Sequence, residues 1–303
     1  ENLPYQHHPL KQNISGERAA CISSILSGGS GLTVVSLRSF LTPIGNPELL
    51  KKYNKTLVKG ESIDTTALDK FLAETGYLKV PTASVPGEFA LRGEVLDIFL
   101  AGDEYPVRIV FDFDRIEEIR LYDPENQRSL TVLSSITLYP AREIIWTEKG
   151  IEKLLENLKK MNCPDSSFLE NEIKEFKTII GEEMLFPLSN DKIFTLGDLF
   201  KKDAMLFAVG TERLLNGSEN LKKEIIELYS QARRKGKWYP PPALILNEYS
   251  DSLERFPRVI NLPMFTQDKK AGPVLSFPCN GPRSYFGNIT YFKEELSNLL
   301  TAG

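Results

Sequence analysis

The sequence predicts an α/β fold whose layered shell is interrupted by an inserted domain of one helix plus an antiparallel sheet. Three observations carry this reading. Two short apolar runs rich in β-branched or bulky residues, Leu32–Leu37 and Met205–Val209, read as buried strands beside segments of helical period. From Gly87 to Leu138 the apolar period changes to two, and four or five short strands succeed one another across turn residues. After Pro140 the helical period returns.

Taken in order, residues 1–13 hold Pro4, Pro9, His7 and His8 without periodicity and read as an irregular lead-in. Ser15 is the expected N-cap of a helix with Arg18, Ala19, Cys21, Ile22, Ile25 and Leu26 at helical spacing, ending at Gly28 and Gly29. Glu48–Tyr53 is a short helix and Lys55–Val58 a strand leading into Gly60. Asp64 or Thr65 caps the next helix, whose inward face is Leu68, Phe71 and Leu72, and Gly76 closes it. Phe89–Arg92 and Glu94–Phe99 read as strand interrupted at Gly93, where glycine signals a bulge or a close backbone approach. Strict alternation in Tyr105–Asp114 puts Tyr105, Val107, Ile109, Phe111 and Phe113 on the buried face and Arg108, Val110, Asp112 and Asp114 on the other. Ile116–Tyr122 and Leu130–Leu138 continue the pattern across the turn Asp123-Pro124-Glu125-Asn126.

Beyond Pro140, Thr147 caps a helix with Ile151, Leu154, Leu155, Leu158 and Met161 on one stripe, and Pro164 opens another with Phe168, Leu169, Ile173 and Phe176. Thr211 caps a long helix running to about Gly236, broken near Asn216-Gly217-Ser218. Arg258–Leu262 is the last strand. A Pro/Gly/Lys-rich linker and an amphipathic helix, Ile289–Leu300, read as the entry to a further domain. The resulting map is a first part of the α/β domain at 1–56, an inserted α+β domain at 57–141, the second part of the shell at 142–262, and linker plus the start of the next domain at 263–303.

At 303 residues, 41% apolar and 26% charged, the chain has the composition of an ordinary soluble protein. Its formal charge of −4 argues against a coat for nucleic acid, whose binding rests on clustered Lys and Arg. Three widely spaced cysteines, Cys21, Cys163 and Cys279, fit neither a disulfide framework nor a CxxC pair, so a reducing, cytoplasmic setting is expected. No apolar run approaches the ~18 residues of a membrane span.

Catalytic chemistry is hard to find. No GxxxxGK[ST] occurs, and the cluster Gly28-Gly29-Ser30-Gly31 precedes a strand candidate rather than joining strand to helix, so a helix stop is the better reading. His7 and His8, the two histidines, are adjacent in an irregular segment and read as solvated. Asp112 and Asp114 could share a hard cation, but Arg108 and Arg115 beside them favour a surface ion-pair network. Arg92 and Arg108, taken alone, read as sheet-face arginines paired with Glu94, Asp112 or Asp114. Arg233–Trp238, RRKGKW, is the one basic stretch with an aromatic, and it sits at a helix end.

GEFALRGEVLDIF at Gly87–Phe99, the run Tyr105–Leu130 (YPVRI…IRLYDPENQRSL) and the opening LPYQHHPLKQNISGER together resemble the amino-terminal, UvrB-like module of the bacterial transcription-repair coupling factor (Mfd) family over roughly residues 1–262. The short spacing from Tyr5 to the helix at Ser15 leaves no room for the long aromatic hairpin of UvrB. The resemblance implies a degenerate helicase-like (RecA-like) α/β shell without ATPase machinery, hence no enzyme and no cofactor in these residues, with ATP and magnesium serving motor domains elsewhere in the full factor. It implies that the insert binds UvrA, that RNA polymerase and double-stranded DNA are met by other domains, and that a C-terminal region masks the UvrA surface. The alternative within the resemblance is a DNA-binding repair module like UvrB. The UvrA contacts it implies are Arg92 and Arg108, with a third position, aromatic in the family, falling on Asp112 here beside Phe113. Arg108→Ala is then expected to weaken UvrA binding while leaving the melting temperature nearly unchanged.

Overall fold

Alternation and turn chemistry build one main feature, a six-stranded mixed sheet, with helices and short strands before and after it in the chain. The structure, a computed structural model, describes residues 4–5, 12–28, 31–164, 166–176, 181–263 and 288–301. Ahead of the sheet come α1 (Gln12–Leu26), α2 (Leu37–Leu41), α3 (Pro47–Lys52), β1 (Lys55–Val58) and α4 (Thr65–Glu74). The sheet comprises β2 (Leu78–Lys79), β3 (Glu88–Arg92), β4 (Val95–Ile98), β5 (Val107–Asp112), β6 (Arg115–Tyr122) and β7 (Ser129–Leu133), side by side in chain order. All neighbours are antiparallel except β2 and β3, which run parallel. Then follow β8 (Ser135–Leu138), α5 (Glu148–Lys160), α6 (Ser166–Phe176), α7 (Glu182–Leu185), β9 (Met205–Val209), α8 (Thr211–Arg234), α9 (Tyr249–Glu254) and β10 (Arg258–Leu262). The chain divides into a unit from Glu1 to Met264 and a second from Phe265 to Gly303, which contains α10 (Ile289–Thr301).

The inward sheet face, Phe89, Leu96, Ile98, Val107, Ile109, Phe111, Ile116 and Ile119, buries Leu68 and Leu72 of α4 in one apolar cluster that also takes in Leu57 and Leu138. Asp64 starts α4 by accepting from the backbone N–H of Thr66 at 2.8 Å and Ala67 at 3.0 Å, the N-cap geometry the sequence predicts. Three further clusters occur among the described residues, the two larger on α5 and α8. One joins α5 through Ile151, Leu154, Leu155 and Leu158 to Trp146, Ile173 and Phe186. The other joins α8 through Leu221, Ile225 and Ala232 to Phe40, Leu41 and Tyr249. β9 and β10 pair in parallel with α8 between them in sequence, an α/β crossover.

Several expectations are corrected. Gly93 is no bulge within a strand. Arg92 pairs with Val95, so Gly93 at φ 59° is the first central residue of a two-residue hairpin, where a positive φ lets the turn match the twist of its strands. Leu130–Leu138 is split, with β7 closing the six-stranded sheet and β8 leaving to pair with β1. Leu32–Leu37 forms no strand: Leu32 and Val34 are 86% and 87% exposed, and the helix α2 already begins at Leu37. No strand among the described residues pairs with it, and an apolar run without a ladder partner has nothing to hold it in a sheet. β9 is covered on one face only, with Met205, Phe207 and Val209 exposed.

Ser15 lies inside α1 rather than capping it, and Cys21 points to solvent while Ala19 and Ile22 are buried. α8 runs unbroken through Gly217, where a Cβ would come within 2.9 Å of Leu37 Cδ2, so the glycine serves close packing rather than a helix break. Gly210, in the left-handed region, precedes α8 in place of a Thr211 cap. Tyr105 and Phe168 are exposed rather than inward, and Phe113 occupies a turn beyond the end of β5.

Candidate protein interface

The outward face of the sheet is set by the same alternation that fills the core. Cross-strand register aligns Ala90, Asp97, Arg108, Arg120 and Val132 in one row, and Arg92, Val95, Val110 and Glu118 in the next. A charged residue in the middle of the apolar run Val95–Leu100 is therefore carried to the centre of this face. That residue is Asp97, fully buried, and a buried carboxylate must be paired.

Both predicted arginines pair with it. Arg108 donates from Nε to Asp97 Oδ1 at 2.6 Å and from Nη2 to Oδ2 at 2.9 Å, a two-pronged grip matched to the planar fork of the guanidinium. Arg92 donates from Nη2 to Asp97 Oδ2 at 2.8 Å. The two are not equivalent. The Arg108 side chain is 17% exposed and also donates to Gln127 Oε1 at 2.9 Å, whereas the Arg92 side chain is 53% exposed. Hydrogen bonding to Asp97 holds the Arg108 pKa above its ordinary value. Burial, then the charge of Asp97, pushes the Tyr122 phenol beneath them up to about 12, against the opposing pull of the arginines.

The sequence reading located the arginines and missed their partner. Neither pairs with Glu94, Asp112 or Asp114; the available signal was the lone carboxylate in an apolar strand, in register with Arg108. The expectation that Arg108 is a dispensable surface side chain for stability is revised accordingly, since removing it would strand a buried charge. The surface network of Arg108 and Arg115 with Asp112 and Asp114 does not form as expected either. Arg108 turns to Asp97, and Arg115 donates to the Gly60 carbonyl at 3.0 Å.

Asp112 and Phe113 lie apart from the Asp97 cluster. Asp112 is exposed and registers with Arg115 at the end of β5. Phe113 sits in the following turn with φ 56° and is 84% exposed, contrary to the inward position that alternation predicted, because the strand ends one residue before it. The N–H of Phe111 donates to the Glu94 carbonyl at 2.8 Å, which sets this hairpin beside the Gly93 turn, at the Arg92 end of the face.

Nothing elsewhere among the described residues assembles competing chemistry. No group of three His, Cys, Asp or Glu is placed to hold a metal ion, and His7 and His8 lie outside the described residues. A cleft of about 720 Å³, lined among others by Asn46, Glu143, Lys153 and Asp191, mixes lysines with carboxylates that already pair, as Lys153 does with Asp191 at 2.9 Å. In RRKGKW the basic residues are exposed, while Trp238 is partly buried against the α5 cluster with its Nε1 donating to the Met161 carbonyl. No described helix is long and apolar enough to cross a membrane.

Comparison with known proteins meets this geometry. The family described as the UvrB interaction domain matches residues 56–144, the stretch that holds the whole sheet. A transcription-repair-coupling factor of Borreliella burgdorferi is 29% identical over 99% of this chain and 26% of its own length. One of Staphylococcus epidermidis is 28% identical over 93% of the chain and 26% of its length, and one of Haemophilus influenzae 27% identical over 86% and 23%. The chain thus spans about a quarter of the length of these relatives. The match over the sheet and the similarity extending across both flanks agree: residues 56–144 are similar to the UvrB interaction domain, and the chain is similar along nearly its whole length to transcription-repair-coupling factors.

Proposed function

We propose that this chain is the non-catalytic recruiting part of a transcription-repair-coupling factor, and that the outward face of its six-stranded sheet docks UvrA for nucleotide excision repair. The observation that carries the reading is the placement of Arg92 on β3 and Arg108 on β5, either side of β4 and its Asp97, within the stretch that matches the UvrB interaction domain. Arginine is favoured at interface hot spots because its planar fork binds carboxylates and lies flat on apolar surface, and strands position it more rigidly than a loop would. The flanking α/β elements act as a degenerate helicase-like scaffold. ATP-driven translocation and contacts to RNA polymerase and double-stranded DNA belong to other parts of a full factor, whose C-terminal region masks this face. The chain works in the cytoplasm and needs no cofactor of its own.

The test is a titration of the chain against UvrA of the same organism, with Arg92→Ala in parallel and circular dichroism to verify folding. Wild-type binding weakened by about 2–4 kcal/mol in the variant supports the reading. A wild-type chain that does not bind UvrA refutes it.

A further inference from the structure

The two arginines that share Asp97 differ in what they have left to offer. Arg108 is largely committed: Nε and Nη2 lie on Asp97, Nη2 also donates to Gln127, and its guanidinium carbon sits 4.5 Å from the Tyr122 ring centroid. Arg92 uses one amino group on Asp97 and remains 53% exposed at the rim. An arginine side chain has several freely turning bonds, and ordering it on binding costs affinity unless something has already fixed it. On this face the fixing group is the Asp97 carboxylate, itself immobilised by the two-pronged grip of Arg108.

We infer that Asp97 is a positioning residue of the docking face: gripped by Arg108 from the neighbouring strand, it aims Arg92 outward toward a carboxylate of the partner, and Arg108 contributes to docking through Asp97. The inference rests on the reading of this face as the UvrA surface. A carboxylate is the group that fits, because the exposed edge of Arg92 presents only N–H donors on a fixed cation.

Asp97→Asn tests it, since the amide keeps the shape and removes the charge. UvrA affinity is measured for wild type, Arg92→Ala, Asp97→Asn and the double variant, each well below its own melting temperature. The expected result is a loss of about tenfold for Asp97→Asn that disappears in the Arg92→Ala background, because nothing is then left to aim. Equal losses in both backgrounds overturn the inference while leaving the UvrA reading intact; a structural role alone would lower both equally. In the free chain, 15N relaxation of the arginine side chains should find Arg92 ordered in wild type and mobile in Asp97→Asn. Equal order in the two overturns the inference whether or not UvrA binds. If Asp97→Asn does not fold, Arg108→Lys replaces it, keeping a cation beside Asp97 but losing the fork. Unchanged Arg92 order and UvrA affinity in that variant overturn the inference as well.

Discussion

Arg108 roofs Tyr122: its guanidinium lies 4.5 Å above the ring centroid, and the tyrosine beneath is almost fully buried. The contact joins β5 to the end of β6 on the outward face, where a cation over an aromatic ring adds about 0.5–2 kcal/mol to ordinary packing. One side chain thus shields Asp97 and covers an aromatic ring, so the stability of this sheet face is bound up with Arg108.

Arg108→Ala and Arg92→Ala should therefore separate. The first leaves the Asp97 charge buried with a single half-exposed partner and is expected to cost about 3–5 kcal/mol. The second removes an exposed contact and should cost about 1 kcal/mol or less. Urea denaturation of both variants checks this, and equal midpoints would refute it.

Alkaline stability follows from the Tyr122 phenol. Its ordinary pKa is 10.0 and in the fold it is pushed up to about 12, so between these values the folded chain keeps a proton that the unfolded chain has lost. Its contribution is fully present below pH 10 and disappears as pH rises toward 12. Tyr122→Phe should flatten the fall in urea midpoint across this window. Some slope should remain, because burial also raises Tyr77 and Tyr139.

The cap of α4 is tested by Asp64→Ala, which removes the acceptor for two backbone N–H groups and should destabilise by about 1 kcal/mol. Asp64→Asn, which keeps an acceptor, should recover most of that loss in a thermal melt.

Close approach between α1 and the segment after β4 is tested by Gly16→Ala. A Cβ on Gly16 would lie 2.3 Å from the Ala101 carbonyl oxygen, backbone that cannot swing aside, and the substitution should cost about 1–3 kcal/mol. Gly31→Ala, with nothing within 4 Å of the added carbon, should change the melting midpoint little and serves as the control.

Elements set by local chemistry were legible in the chain. The Asp64 cap, the alternation of Val107, Ile109 and Phe111, the stripe of Ile151, Leu154, Leu155 and Leu158, and the strand Arg258–Leu262 each follow from hydrogen bonding or periodicity within a few residues. Arg92 and Arg108 were legible as candidates through resemblance. Their shared partner was not, because Asp97 meets Arg108 only through the register of β4 on β5, which no local pattern states. The same dependence on cross-strand partners turned Gly93 from a bulge into a hairpin turn, moved Phe113 from the core to a turn, divided Leu130–Leu138 between two sheets, and left Leu32–Leu37 without a ladder. The sequence by itself determined which residues favour strand, helix and cap, since those preferences act over short range. Tertiary structure alone decided which carboxylate the arginines hold and which of them stays half-exposed, since burial and pairing are properties of strands that meet across the sheet.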